Sequence, residues 1–536
     1  MYSGGSRGEA ETTVFTNGYI YTVDGPWPVE AMAVRNGRIV AVGTSRELSG
    51  GANARIINLG ERTVIPGLID AHIHFLSYSR SLNKVILEGV RSKEEVLRMV
   101  EEKAKELGPR RWILGGGWNH YLWDPPSFPT RHDLDRVAPN NPVLLDRKDL
   151  HSCWVNTLAL QAAGINRDTP DPPGAAIGRD ADGEPDGLFY ESATAIPRRA
   201  ISEAPEDALT VMRKGFQNLA SMGLVGFHDC EGPDAFSAFQ HLDAEGELPL
   251  RVVILLAYPT LDQSIEVGLR TGFGSDKLRV GPVKIFSDGS LGSMTAQMLE
   301  PYVGHPDNRG ISTIPQEELE EAVRKAAEAG IPAAVHAIGD AANRRVLDAF
   351  AKLGNAGGLI NRIEHVQHLH PKDIPRFGKL GVVASMQPIH ATSDMQPADQ
   401  LLGTRARYSY AWRSLLNTGA LLAFGSDAPV ETPNPFAGIH AAVTRQDEND
   451  LPVGGWYPEE RLTVVEAVRA YTEGAARSMP YLPGVTGMLH EGAVADFLVL
   501  DEDIFALDPR DLKAVKPRAT VIGGEAVYDP DGVLAS

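Results

Sequence analysis

The chain has 536 residues, 43% of them hydrophobic, which exceeds one domain of ordinary size and suffices for a substantial core. Acidic residues outnumber basic ones, 70 to 51, for a net charge of −19, and a surface field of that sign disfavours nucleic acid and anionic membranes as partners. Two cysteines, Cys153 and Cys230, exclude a disulfide framework, no basic and then apolar leader opens the chain, and no run approaches the ~18 apolar residues of a membrane span. These features predict a soluble cytoplasmic protein.

Residues 1–11, with their glycines and serines, read as a flexible tail. From residue 12 to 62 apolar and polar positions alternate around Asn17-Gly18 and Asn36-Gly37, the pattern of short antiparallel strands joined by tight turns. The stretch from Gly487 onward does the same. The two ends, residues 12–62 and 487–536, therefore predict one small β-sandwich domain.

Next comes Val64 to His74, an apolar run ending in two histidines one residue apart. Side chains two apart on a strand share a face, so His72 and His74 either form a chelate or merely cap a buried strand. Later runs of the same kind end in His336, His365 and Asp427. In a barrel of parallel strands the active-site residues gather at the C-terminal ends of the strands. Eight such strands can be counted: one ending at His72, then Val225 to Asp229, Arg251 to Ala257, Val283 to Phe286, Ala333 to His336, Arg362 to His365, Val382 to Met386, and one ending at Asp427. The run Val85 to Glu88 would be a ninth and is placed outside. Residues 63–486 thus read as a (β/α)8 TIM barrel, with residues 75–205 as a long insertion after the first strand, a lid or substrate wall. Between later strands, Gln316 to Ala327 reads as an amphipathic helix stopped by Gly330.

Lys284 lies between apolar neighbours, where a lone ammonium is costly. It either pairs with an acid such as Asp288 or Asp229, or is no ammonium at all: a neutral amine can add carbon dioxide and become a carbamate that bridges two metal ions.

The runs Pro66 to His74 and Gly492 to Leu500, with the histidines and Asp427, resemble the amidohydrolase superfamily over nearly the whole chain. Val283 to Ser293 and Asp149 to Asn156 look like amidohydrolase family 3, whose relatives include N-substituted formamide deformylases. The resemblance implies a TIM barrel with a β-sandwich built from both termini. It also implies two ligand sets, His72, His74 and Asp427 for one metal and His336 with His365 for the second, bridged by the Lys284 carbamate. Imidazole and carboxylate ligands suit Zn2+, with Mn2+, Co2+, Ni2+ and Fe2+ as alternatives. The implied reaction is hydrolysis of the C–N bond of a small amide by hydroxide formed on the metal at near-neutral pH. Asp427, as ligand and acid/base, would carry the proton to the departing nitrogen.

Other residues are less marked. His151 and Asn156 are candidates to bind the substrate carbonyl, and His368 and His390 follow strand ends and are candidate pocket residues. Trp118, Trp123 and Trp154 either wall an apolar substrate or form the insertion's own core. Three rival readings remain: a mononuclear ring deaminase, which would want Glu where Gly339 stands, three residues after His336; a hydrolase of a cyclic amide, ester or carbon–carbon bond; and a metal-binding scaffold without catalysis. A homodimer is the commonest symmetric assembly and is the expectation for the oligomeric state.

Overall fold

A computed structural model of the chain describes residues 12–535 apart from 24, 26–27, 51–53, 88, 148–151, 173–174, 202–205, 355–357, 480–483 and 486. The chain divides into two compact units, residues 1–78 with 213–536, and residues 79–212.

In the first unit eight parallel strands pair with their neighbours in chain order: β1 (Leu68–Ile73), β2 (Leu224–Asp229), β3 (Arg251–Ala257), β4 (Leu278–Phe286), β5 (Ala333–Ala337), β6 (Arg362–His365), β7 (Val383–Met386) and β8 (Leu422–Phe424). Helices alternate with them, which makes the unit a parallel barrel of TIM type. The sheet closes where the chain beyond β8 meets the end of β1. There the Asp427 amide donates to the His72 carbonyl at 2.7 Å and the His74 amide to the Ala428 carbonyl at 2.9 Å. Approach is so close at Gly425 that a Cβ would stand 2.5 Å from the His72 nitrogen and 2.6 Å from Asp70 Oδ1, so only glycine fits.

The strands expected at Arg251 to Ala257 and Arg362 to His365 occupy those residues. β4 begins earlier than the expected Val283. Gly281-Pro282 forms a bulge opposite Leu255, and Leu278 to Val280 continue the pairing with Val252 to Ile254 beyond it. The helix Gln316–Glu328 buries Leu319, Ala322, Val323 and Ala326 at helical spacing and ends just before Gly330, which takes φ +75°. Among the described residues no helix is long and apolar enough to cross a membrane.

The termini contribute two further sheets to this unit. Thr12–Thr16, Ala31–Arg35, Arg38–Gly43 and Ala54–Asn58 form one; Tyr19–Ile20, Thr63–Pro66, Phe497–Leu500, Ala519–Ile522 and Glu525–Tyr528 form the other. Phe15, Met32 and Ile57 of the first share one buried cluster with Ile20, Val64, Phe497 and Val521 of the second. The turn at Asn36-Gly37 has both residues at positive φ and joins an antiparallel hairpin, as expected. Pairing is not wholly antiparallel, however, because Thr12–Thr16 runs parallel to Ala54–Asn58; the hairpin between them supplies the long crossover that parallel neighbours need.

The second unit is built on a six-stranded sheet that includes Val85–Ile86, paired with Ile113–Trp118 and so outside the barrel. Trp118, Trp123 and Trp154 pack together in its core.

Arg251, the first residue of β3, makes a bidentate ion pair with Asp496: Nε donates to Oδ2 at 2.6 Å and Nη2 to Oδ1 at 3.0 Å. Oδ1 also accepts the Gly523 amide at 2.8 Å, so this buried pair ties the terminal sheet to the barrel. Removing one partner strands the other charge, and Asp496→Ala is expected to cost about 3–5 kcal/mol. A fall in the thermal unfolding midpoint, larger than that of Asp496→Asn, is the measurement that checks it.

Candidate metal centre

The C-terminal ends of the barrel strands carry the polar residues singled out above. His72 is the penultimate residue of β1 and His74 the first beyond it; Lys284 is third from the end of β4, His336 penultimate in β5, His365 last in β6, and Asp427 three residues past β8. Strand alternation turns His72 and His74 to the same side. Their Nε2 atoms lie 3.6 and 3.3 Å from Asp427 Oδ1. On the other side of that carboxylate, His390 Nε2 lies 3.7 Å from Oδ2. Two groups of donors result, His72 with His74 and Asp427, and His365 with His390 and Asp427; within each group the donor atoms all lie within 4.8 Å of one another. Asp427 belongs to both.

His336 stands outside both groups of three, although its ring lies 4.5 Å from that of His365, centroid to centroid. Its Nε2 faces the Gly289 carbonyl at 3.2 Å and Asp288 Oδ1 at 3.4 Å, so Nδ1 is the nitrogen left for a ligand. Lys284 is 3% exposed, and Nζ lies 3.3 Å from His72 Nε2 and 4.9 Å from the centre of the Phe286 ring. Neither acid considered as its partner pairs with it. Asp288 is occupied by the amides of Gln297, Ile338 and Gly339, and Asp229 by those of Phe75 and Glu231.

The electrostatics favour ligation. Burial, and then the nearby Lys284 charge, push the His72 imidazole down to about 4 and that of His336 to about 3. His365 is lowered well below its ordinary value by burial and its histidine neighbours. All three are neutral near pH 7 and keep a lone pair. Burial would raise the Asp427 carboxyl, but its contact with His74 and the fields of His72, His365 and His390 hold it well below the usual range. Several neutral imidazoles around one carboxylate is a donor set fitted to a borderline divalent cation. His365 and Asp427 both adopt the left-handed region, φ +74° and +59°, a strain that concentrates at functional sites.

Behind the donors stands a network that no motif announced. His72 Nδ1 donates to Glu364 Oε2 at 2.6 Å, Glu364 Oε1 pairs with Arg362 Nε, and Arg362 Nη2 donates to the Ala71 carbonyl at 2.8 Å. Arg362 Nη1 also reaches His228 Nδ1 at 3.1 Å, and both Arg362 and Glu364 are fully buried. The signal was present in the sequence: Arg362 and Glu364 alternate with Ile363 on β6, so they share a face of a strand otherwise destined for the barrel core.

Other expected site residues fall elsewhere. Asn156 caps the helix Thr157–Ala162; its Oδ1 accepts the amides of Ala159 and Val143, and its Nδ2 donates to the carbonyls of Ala138 and Asn141. With every hydrogen-bonding position used and no exposed surface, it has nothing left for a substrate. Of the two roles open to Trp118, substrate wall or core, it takes the second: 1% exposed, with Nε1 bonded to the Leu145 carbonyl, it is core. His368 is buried, bonds Ser409 Oγ through Nδ1 at 2.7 Å, and lies outside both donor groups. His151 lies outside the described residues.

Glu364 fixes the His72 tautomer with the lone pair on Nε2, toward Asp427. Partners of this kind are worth about 10–100-fold in metal affinity. Glu364→Gln is expected to weaken divalent-cation binding by that order, measured by titrating zinc against a competing chelator.

The amidohydrolase family model matches residues 55–528. The protein YtcJ of Bacillus subtilis (strain 168) is 35% identical over 531 residues, covering 96% of this chain and 99% of its own. The N-substituted formamide deformylase of Arthrobacter pascens is 28% identical over 524 residues, covering 94% and 95%. Among solved structures, an uncharacterized metal-dependent hydrolase from Pyrococcus furiosus has a TM-score of 0.75 at 30% identity, covering 92% of this chain and all of its own. With matches that span barrel and terminal sheets alike, and a donor cluster at the C-terminal ends of the strands, the chain belongs to the amidohydrolase family of metal-dependent hydrolases.

Proposed function

We propose that this protein hydrolyses the C–N bond of a small linear amide with two divalent ions, zinc by preference. The observation that carries the reading is the position of Asp427, one carboxylate shared by two sets of imidazoles. His72, His74 and Asp427 would hold one ion, and His336 and His365 would contribute to the second. Lys284, buried beside His72 without a carboxylate within 4.0 Å among the described residues, is suited to the bridging carbamate. When bound, the ions would lower the pKa of a water and polarise the substrate carbonyl.

The residues themselves divide the remaining work. Asp427 turns Oδ1 toward His72 and His74 and leaves Oδ2 on the other side, placed to take the proton of the attacking water and pass it to the departing nitrogen. Glu364 and Gln387 hold the rings of His72 and His365 by their Nδ1 atoms, so that the donors do not reorganise during the reaction. The likeness to an N-substituted formamide deformylase makes N-substituted formamides the first substrates to try. A ring deaminase fits less well. Gly339, where that reading wants a glutamate, has no side chain, its amide is bonded to Asp288 and its carbonyl to Asn343.

Protein prepared without chelator, with zinc and bicarbonate supplied, is expected to carry close to two zinc ions per chain, and its native mass to include one added carbon dioxide that Lys284→Ala lacks. Asp427→Asn should lower turnover of an N-substituted formamide by on the order of 10²–10⁴-fold. Unchanged turnover in that variant with metal bound would refute the proton-carrying role.

A further inference from the structure

His390 stands in the first turn of the helix Pro388–Leu402, which follows β7. Its side chain is 9% exposed, and Nε2, aimed at Asp427 Oδ2, has no hydrogen-bond partner among the described residues. A buried ring nitrogen left unpaired costs free energy, and such orphans call for an unseen partner. His365 and Asp427 stand around the same point. The rings of His365 and His390 lie nearly parallel, 8° apart with centroids separated by 6.3 Å.

The outer sides of these two rings are held by a crossed pair of amides. His365 Nδ1 donates to Gln387 Oε1 at 2.8 Å, and His390 Nδ1 lies 3.2 Å from Nε2 of the Gln367 side-chain amide. Gln387 comes three residues before His390 and Gln367 two residues after His365, so each strand end supplies one ring together with the amide that steadies the other. Both glutamines are buried. The two ends of the Gln367 amide are close in shape, and turned end for end it presents its oxygen to His390; Nδ1 then carries the ring proton and Nε2 a lone pair, the state that Gln387 imposes on His365. Metal-bound histidines are held in this manner.

We infer that His390 is a metal ligand: with His365 it holds the second divalent ion, beside Asp427 Oδ2, which stays free to carry the proton. The inference rests on the two-ion reading above and adds to it a ligand from β7, a strand whose end supplied none in that assignment. It also gives the Gln387 and Gln367 amides one shared task, to keep two donors from adjacent strands parallel and deprotonated at Nε2.

The test is binding of zinc alone, and of cobalt(II) alone followed by its visible spectrum, to the full chain and to His390→Asn and Gln367→Met. The parent chain is expected to take two ions. His390→Asn should bind the first as before and the second at least about 10-fold more weakly, with an altered spectrum for the second cobalt. Gln367→Met keeps the ligand but loses its orienting partner, and should weaken the same ion within that range. Two ions bound by His390→Asn with unchanged affinity and spectrum would overturn the inference and leave the two-ion reading standing. A parent chain that takes only one ion would overturn the two-ion reading. In that case, weakening of that ion by His390→Asn would still support ligation, and no effect would refute it.

Discussion

Closure of the barrel between β8 and β1 is the constraint on which the rest depends. The bonds that close it run through the candidate ligands themselves, since the Asp427 amide caps the His72 carbonyl and the His74 amide caps that of Ala428. Asp70 reinforces the seam by accepting the Ser426 amide and hydroxyl along with the His72 amide. A parallel barrel can close only if strands approach to backbone contact, and Gly425 permits that approach. The position of Asp427 relative to His72 and His74 is thus a by-product of finishing the sheet. No flexible loop has to find it.

The barrel interior beneath this seam is unusually polar for a buried volume. Arg362, Glu364, His72 and His228 form a continuous line of hydrogen bonds and ion pairs, all less than 5% exposed. Desolvating such groups is expensive, and hydrophobic residues of similar volume often serve stability as well or better. What the line provides is orientation. Glu364 stays anionic despite burial because Arg362 and His72 hold its carboxyl well below the usual range, and it therefore always presents an acceptor to His72 Nδ1. His365, Val366 and Asp427 accept left-handed backbone at the same level, for Val366 a costly conformation. Strain and buried charge are tolerated together where donors must be aimed.

The second unit uses its polar and aromatic residues differently. Trp118, Trp123 and Trp154, which in sequence fit a pocket wall or a core equally, go into the core, and Asn156 goes into a helix cap. A stretch such as residues 79–212, which folds as its own compact unit, needs a hydrophobic core of its own, and bulky aromatics fill one with few residues.

The sequence by itself determined the barrel, because eight short apolar runs separated by helical patterns have few other ways to bury their faces. It also marked the histidines and Asp427, since each ends such a run and the ends of parallel strands converge. The turn at Asn36-Gly37 and the stop at Gly330 were readable for the same reason: each is a local backbone requirement. Only the tertiary structure decided which donors share a carboxylate. That depends on distances between strands far apart in the chain, as between His390 and Asp427, and on which ring nitrogen an outer partner claims, as Gly289 does for His336. It decided equally that Asn156 and Trp118 are structural, because whether a polar or aromatic group is already satisfied depends on neighbours that the local sequence does not name.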